Sequence, residues 1–95
     1  MSFVVVAQMT ARQGEEGTAL EVIWELAVAS RQEPGCELYI PTQDPEHPRS
    51  FLFYEQYRDE QAFEEHCASE HFQRLAVGAL FGLLESRERS FYKTV

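Results

Sequence analysis

His66 is the side chain in this sequence best suited to moving a proton near neutral pH. An unperturbed imidazole titrates near ~6.5, so it can accept or release a proton without leaving the physiological range. The segment Ala62-Phe63-Glu64-Glu65-His66 reads as a helix that presents this ring inward or toward a cleft. Glu55 is its natural complement. It lies in the run Phe53-Tyr54-Glu55-Gln56-Tyr57 and alternates with Phe51, Phe53 and Tyr57, which sets a carboxylate on an otherwise apolar strand face. A carboxylate so placed must be hydrogen-bonded or neutralised, and a nearby imidazole could orient it or be oriented by it. The plainer reading of both residues is structural, with His66 held by a carbonyl or by Glu55, and Glu55 tying sheet to helix.

Tyr39, Tyr54 and Tyr57, with Phe63, are candidate walls for a flat aromatic ligand, because a phenol adds a polar handle to a stacking surface. Ordinary strand aromatics in a core are the competing interpretation. No metal is expected. His47, His66 and His71 show no recognised ligand spacing, and His66 and His71 are expected to diverge across a helix cap at Ser69. Cys36 and Cys67, the only cysteines, fit neither a metal clip nor a redox pair. A nucleophilic pair of Cys67 with a histidine lacks a third, orienting residue. There is no glycine-rich phosphate loop, so no nucleotide cofactor is expected either.

The elements that must position these groups begin with one domain, 1–95, since a chain of 95 residues has room for a single core. Its 16 acidic and 8 basic residues leave a net charge of −8, which opposes binding to nucleic acid or to an anionic membrane surface. Arg74, Arg87 and Arg89 read as scattered, solvated charges. The opening Met1-Ser2-Phe3-Val4-Val5-Val6-Ala7 has no basic region before its short apolar run, and the expected location is the cytoplasm.

Phe3-Val4-Val5-Val6-Ala7 opens a first strand over residues 3–12, buried on both faces. Gln13-Gly14 breaks it. A helix over about 15–32 follows, with Leu20, Ile23, Trp24, Ala27 and Val28 as its apolar stripe. Pro34-Gly35 ends that helix and starts a second strand, 36–42, in which Cys36, Leu38 and Ile40 alternate with Glu37 and Tyr39; Pro41 marks it as an edge strand or a bulged one. A proline-bearing turn leads to the third strand, 50–57. Asp59 is an N-cap for a short helix carrying His66, and Ser69 caps a second piece with Phe72, Leu75, Ala76, Ala79 and Leu80 on one stripe. A last strand runs from about 85 to 95.

This order, βαββαβ with a split second helix, predicts an α+β, ferredoxin-like sandwich: a four-stranded antiparallel sheet with helices on one face. The other face would expose an apolar patch larger than monomers usually tolerate, and two such sheets packed together would cover it.

Three ordered segments, Glu33-Pro34-Gly35-Cys36-Glu37-Leu38-Tyr39, Phe53-Tyr54-Glu55-Gln56-Tyr57 and Ala62-Phe63-Glu64-Glu65-His66 with Ser69 and Phe72, resemble the antibiotic biosynthesis monooxygenase (ABM) family. The resemblance implies a dimeric α+β barrel formed by a homodimer. It also implies a cofactor-independent monooxygenase that oxidises a small electron-rich aromatic, such as a hydroquinone or an anthrone, with dioxygen. On that basis His66 would be the base, Glu55 its partner, and Tyr39, Tyr54, Tyr57 and Phe63 the substrate-binding walls, with no flavin, haem or metal. Tyr57 stands where many members carry a tryptophan, and His66 where the haem-degrading branch carries one, which disfavours haem cleavage. The alternative is a non-catalytic dimeric small-molecule-binding or stress-related domain. An open cleft under the short helix holding both polar groups, rather than one plugged by Phe63, Phe72 and Trp24, would separate the two.

Overall fold

Gly14 turns the chain at the end of the first strand with φ +86°, a left-handed conformation in which a Cβ would clash with the backbone. The computed structural model describes residues 1–95. The elements run β1 (Phe3–Ala11), α1 (Glu16–Ser30), β2 (Cys36–Gln43), β3 (Ser50–Tyr57), α2 (Glu60–Ala68), α3 (Phe72–Leu80) and β4 (Leu84–Lys93). The four strands form one antiparallel sheet in the order β2-β3-β1-β4, so the expected ferredoxin-like α+β fold is what the chain adopts. β2 is an edge strand, one of the two positions that Pro41 allowed. α3 is wound as a π-type helix, its last turn closed by the Phe81 N–H donating to the Ala76 carbonyl.

Register decides which residues look at the helices. Residues directly opposite in an antiparallel pair share a face. Val5 lies across from Glu55 on one side and Phe91 on the other, and Glu55 lies across from Tyr39. Phe3, Val5, Ala7 and Met9 of β1 therefore share the helix-covered face with Phe51, Phe53, Glu55 and Tyr57 of β3. Against the middle of this face α1 packs Ala19, Ile23, Leu26 and Ala27, and α3 packs Leu75, Ala76 and Leu80. A smaller cluster of Phe3, Val5, Tyr57 and Ala62 seats α2 at the far end. The opposite face carries Val4, Val6, Leu38, Ile40, Leu52, Tyr54 and Tyr92, and no helix covers it.

Two sequence expectations need correction here. The buried stripe of α1 is Ala19, Ile23, Leu26, Ala27 and Ser30, while Leu20 and Val28 are exposed and Trp24 is 69% exposed. The apolar arc of α1 is wider than the sheet and α3 can cover. Its Leu20–Trp24 side overhangs the edge strand and lines a shallow groove with Pro41 and Phe51. In β2 the inward residue is Tyr39, buried, whereas Leu38 and Ile40 lie on the open face. A register shift between Cys36 and Leu38 inserts an irregularity that exchanges the two faces, as a one-residue slip must.

The helix termini follow the sequence expectation. The Asp59 carboxylate accepts from the Ala62 N–H at 2.9 Å. Ser69 Oγ donates to the His66 carbonyl at 2.7 Å and accepts from the Phe72 N–H at 3.2 Å, so one hydroxyl ends α2 and opens the next helical turn. Gly35 matters for contact rather than conformation: a Cβ there would lie 2.5 Å from the Ala62 Cβ. Only glycine lets α2 close onto the start of β2.

Candidate functional site

His66 is buried, 1% exposed, because it lies one turn beyond Ala62 on the face by which α2 meets the sheet. Its Nδ1 lies 2.8 Å from Glu33 Oε2, and His71 Nε2 is hydrogen-bonded to the same oxygen. With Glu33 ionised, both imidazoles donate to it. This assigns the His66 proton to Nδ1 and leaves Nε2 as the basic nitrogen. Nε2 looks toward Glu55, whose Oε1 is 4.0 Å away. That same Oε1 accepts from the Tyr57 hydroxyl at 2.6 Å.

The histidine's hydrogen-bond partner is thus Glu33, on the turn between α1 and β2, rather than Glu55. Burial, with some help from the Glu33 charge, raises the Glu55 carboxyl above its ordinary value of 4.5; the Tyr57 hydrogen bond, His66 and Arg89 oppose the rise. Burial beside Glu55 also pushes the Tyr57 phenol far up, so it stays protonated and donates. Desolvation raises the Tyr39 phenol as well.

These groups open onto a cavity of about 340 Å³ under α2 and α3, within the range that holds a small organic ligand. Tyr39, Phe53 and Glu55 form part of its floor, Phe63, His66 and Phe72 stand on one wall, and Phe81 with Arg87 and Arg89 lines the rest. The cleft is open and carries both polar groups. Phe63 and Phe72 line it without plugging it, and Trp24 lies elsewhere, in the groove beside β2.

The sequence-derived site residues divide accordingly. His66, Glu55, Tyr39 and Phe63 are brought together at the cavity. Tyr57 sits directly behind them, fully buried, its ring 5.3 Å from that of His66, and it acts on the cavity only through its hydrogen bond to Glu55. Tyr54 does not belong to the site. It pairs with Val6 and Ile40 on the open face and donates to Gln56 Oε1, because a strand residue flanked by two inward neighbours must point outward.

Three further corrections concern residues read as bystanders. His71 does not diverge from His66; the two rings are 6.1 Å apart. With Glu33 they put three possible ligand atoms within 4.8 Å of one another, a histidine-carboxylate donor set, although the 2.8 Å His66–Glu33 separation is that of a hydrogen bond. Arg87 and Arg89 are not merely solvated but edge the cavity. Glu33 opens one of the sequence segments quoted above, yet its contact with His66 spans 33 residues, and no local pattern signals it.

An α+β sandwich whose helix-covered face holds an apolar cavity lined by a carboxylate and an imidazole defines a protein of the ferredoxin-like class. The chain belongs to the antibiotic biosynthesis monooxygenase family, whose model matches residues 2–77. Among solved structures it is similar to the Pseudomonas aeruginosa protein PA3566, at 30% identity, TM-score 0.91, covering 99% of this chain and 94% of that one. A structure described as an antibiotic biosynthesis monooxygenase shares 31% identity, with a TM-score of 0.91 and 98% of each chain covered. Shewanella oneidensis protein SO0527 follows at 28% identity, TM-score 0.88, with 96% and 88% covered. No curated protein matches the chain.

Proposed function

We propose that the protein is a cofactor-independent monooxygenase acting on a small electron-rich aromatic of the hydroquinone or anthrone type. The observation that carries this reading is the cavity in which Nε2 of His66 and the Glu55 carboxyl share an otherwise apolar, aromatic-walled space. The family membership and the relative described as a monooxygenase accord with it.

In this reading the ring lies against Phe53, Phe63 and Phe72, and a substrate hydroxyl gives its proton to His66 Nε2. Glu33 holds the imidazole and stabilises it once protonated. The resulting phenolate transfers an electron to dioxygen, and the radical pair combines to form a carbon–oxygen bond. Loss of water then leaves a hydroxyquinone, so one hydroquinone and one dioxygen give one hydroxyquinone and one water. The apolar walls keep bulk water from quenching the intermediate.

The open sheet face, lined by Val6, Ile40, Leu52 and Tyr54, supports a homodimer with the two sheets face to face. No helix is long and apolar enough to cross a membrane, and two free thiols accord with the reducing cytoplasm we assign to the protein.

Aerobic and anaerobic incubation with a panel of hydroquinones tests the activity, with oxygen uptake and product measured together. The wild type should consume oxygen in step with product, and His66→Ala should lower turnover on the order of 100-fold, the scale of a lost general base. His71 remains to pair with Glu33, so the thermal midpoint should move by only a few degrees. A destabilised His66→Ala with unchanged turnover per folded molecule would end the catalytic assignment.

A further inference from the structure

Arg87 and Arg89 alternate along β4 on the helix-covered face, opposite Met9 and Ala7, which places two guanidiniums about 7 Å apart along the strand at the edge of the cavity. Both side chains are exposed, and no ion pair in the molecule takes up either of them. Each is instead laid against aromatic rings. The Arg87 guanidinium carbon sits 3.8 Å from the centroid of Phe81, and that of Arg89 lies 5.6 Å from Phe63 and 5.5 Å from Phe91. The close contact of Arg87 with Phe81 holds that guanidinium by its face and leaves its N–H edge free to donate, while Arg89, at cation–π range of its two rings and with one contact to Cys67, keeps further N–H groups to offer.

Glu88, the residue between them, also lines the cavity, but it lies across from Gln8, a register that turns its side chain to the opposite face, and it forms no ion pair with either arginine. Arg89 acts on Glu55 through its field and on the Cys67 thiol through its field and a side-chain hydrogen bond; Cys67 is a thiol rather than a counter-ion, and Glu55 lies on the cavity floor rather than at the rim.

Resting on the aromatic-pocket reading above, we propose that Arg87 and Arg89 form an anion-binding rim, and that the ligand of this cavity is an electron-rich aromatic ring bearing a carboxylate. Two cations without counter-ions beside an apolar cavity are otherwise unexplained in a chain of net charge −8. The overall negative charge does not override them, because salt screens it beyond roughly 8–10 Å, whereas the rim guanidiniums would touch the carboxylate directly. The ring fills the apolar interior and keeps its hydroxyl beside His66, while the carboxylate stays at the mouth and accepts forked hydrogen bonds. The rim would thereby set the ring's direction in the cavity as well as its affinity.

The test is anaerobic calorimetry with 2,5-dihydroxybenzoate and its methyl ester, on the wild type and on Arg87→Gln/Arg89→Gln. Without dioxygen the measurement reads binding alone, so an enzyme that fails to oxidise either compound leaves this result intact. The wild type should bind the acid at least about tenfold more tightly than the ester, the scale of one charge-assisted hydrogen bond. The double variant should lose that preference while holding the ester within about twofold, and Arg87→Lys/Arg89→Lys should restore part of it. An ester bound as tightly as the acid would overturn the proposal, as would a preference that survives in the double variant or a wild type that binds neither compound. Both arginines are exposed, so an unchanged thermal midpoint of the variant is the expected control for folding.

Discussion

Glu55 is the carboxylate whose ionisation links stability to the chemistry of the cavity. Its folded carboxyl holds a proton at pH values where the unfolded chain releases it, because burial penalises the charge more than Tyr57, His66 and Arg89 relieve it. Between 4.5 and the raised folded value the native state therefore binds more protons, and stability falls as pH rises through that window. Glu55→Gln keeps an acceptor for the Tyr57 hydroxyl and cannot ionise. Urea unfolding from pH 4 to 8 should show the variant gaining on the wild type as pH rises; parallel curves would contradict the buried, raised carboxyl. Glu33 acts one bond further out, as a positioning residue. Glu33→Gln should lower kcat about tenfold or more with little change in KM, since the imidazole loses the acceptor that holds its Nδ1 side in place. A purely structural Glu33 would lower the folded fraction and leave kcat per folded molecule unchanged.

At the scale of elements, the site depends on how closely α2 approaches the start of β2. Gly35 permits that approach, with Ala62 packed where a Cβ would otherwise stand, and the Arg58 N–H donates to the Gly35 carbonyl at 2.8 Å. The same contact brings His66, one turn after Ala62, to Glu33, two residues before Gly35. Gly35→Ala should therefore lower stability by roughly 1–3 kcal/mol through overpacking, and should also lower turnover per folded molecule by moving His66 away from Glu33. Chemical denaturation followed by rate measurement on the folded fraction checks both. A loss of stability with full specific activity would mean that β2 yields and α2 stays in place. At the end of α1, the Arg31 side chain donates twice to the Tyr39 carbonyl, which anchors the edge strand to that helix and keeps Tyr39 on the cavity floor.

For the whole molecule, the uncovered sheet face is the feature that a lone chain leaves unresolved. Val6, Ile40, Leu52 and Tyr54 form a continuous apolar surface there, and a second copy can bury it. Sedimentation at micromolar concentration should give a dimer. Ile40→Glu places a charge on that face at a position 43% exposed in the single chain, so it should yield a folded monomer. Val5→Glu tests something else, because Val5 is fully buried beneath α2 with Phe3, Tyr57 and Ala62; it should unfold the chain outright. A wild-type monomer, or an Ile40→Glu protein that remains dimeric, would remove the open face as the interface.

The sequence by itself determined the element order, the choice for β2 between an edge strand and a bulged one, the caps at Asp59 and Ser69, and the inward alternation of Phe51, Phe53, Glu55 and Tyr57. All of these follow from local chemistry and from periods of 2 and 3.6 residues, which are legible along the chain. The family's ordered segments also pointed to His66 and Glu55 together. What only the tertiary structure decided were relations between distant segments and between faces: Glu33 as the partner of His66, His71 turned toward the same oxygen, and Arg87 and Arg89 at a cavity mouth. The one-residue irregularity in β2 that sends Tyr39 inward, and the outward set of Tyr54, depend on strand pairing in the same way. Periodicity states that a residue has a side, but not which neighbour stands on that side. That is settled when the chain closes and buried polar groups must find partners wherever packing has left them.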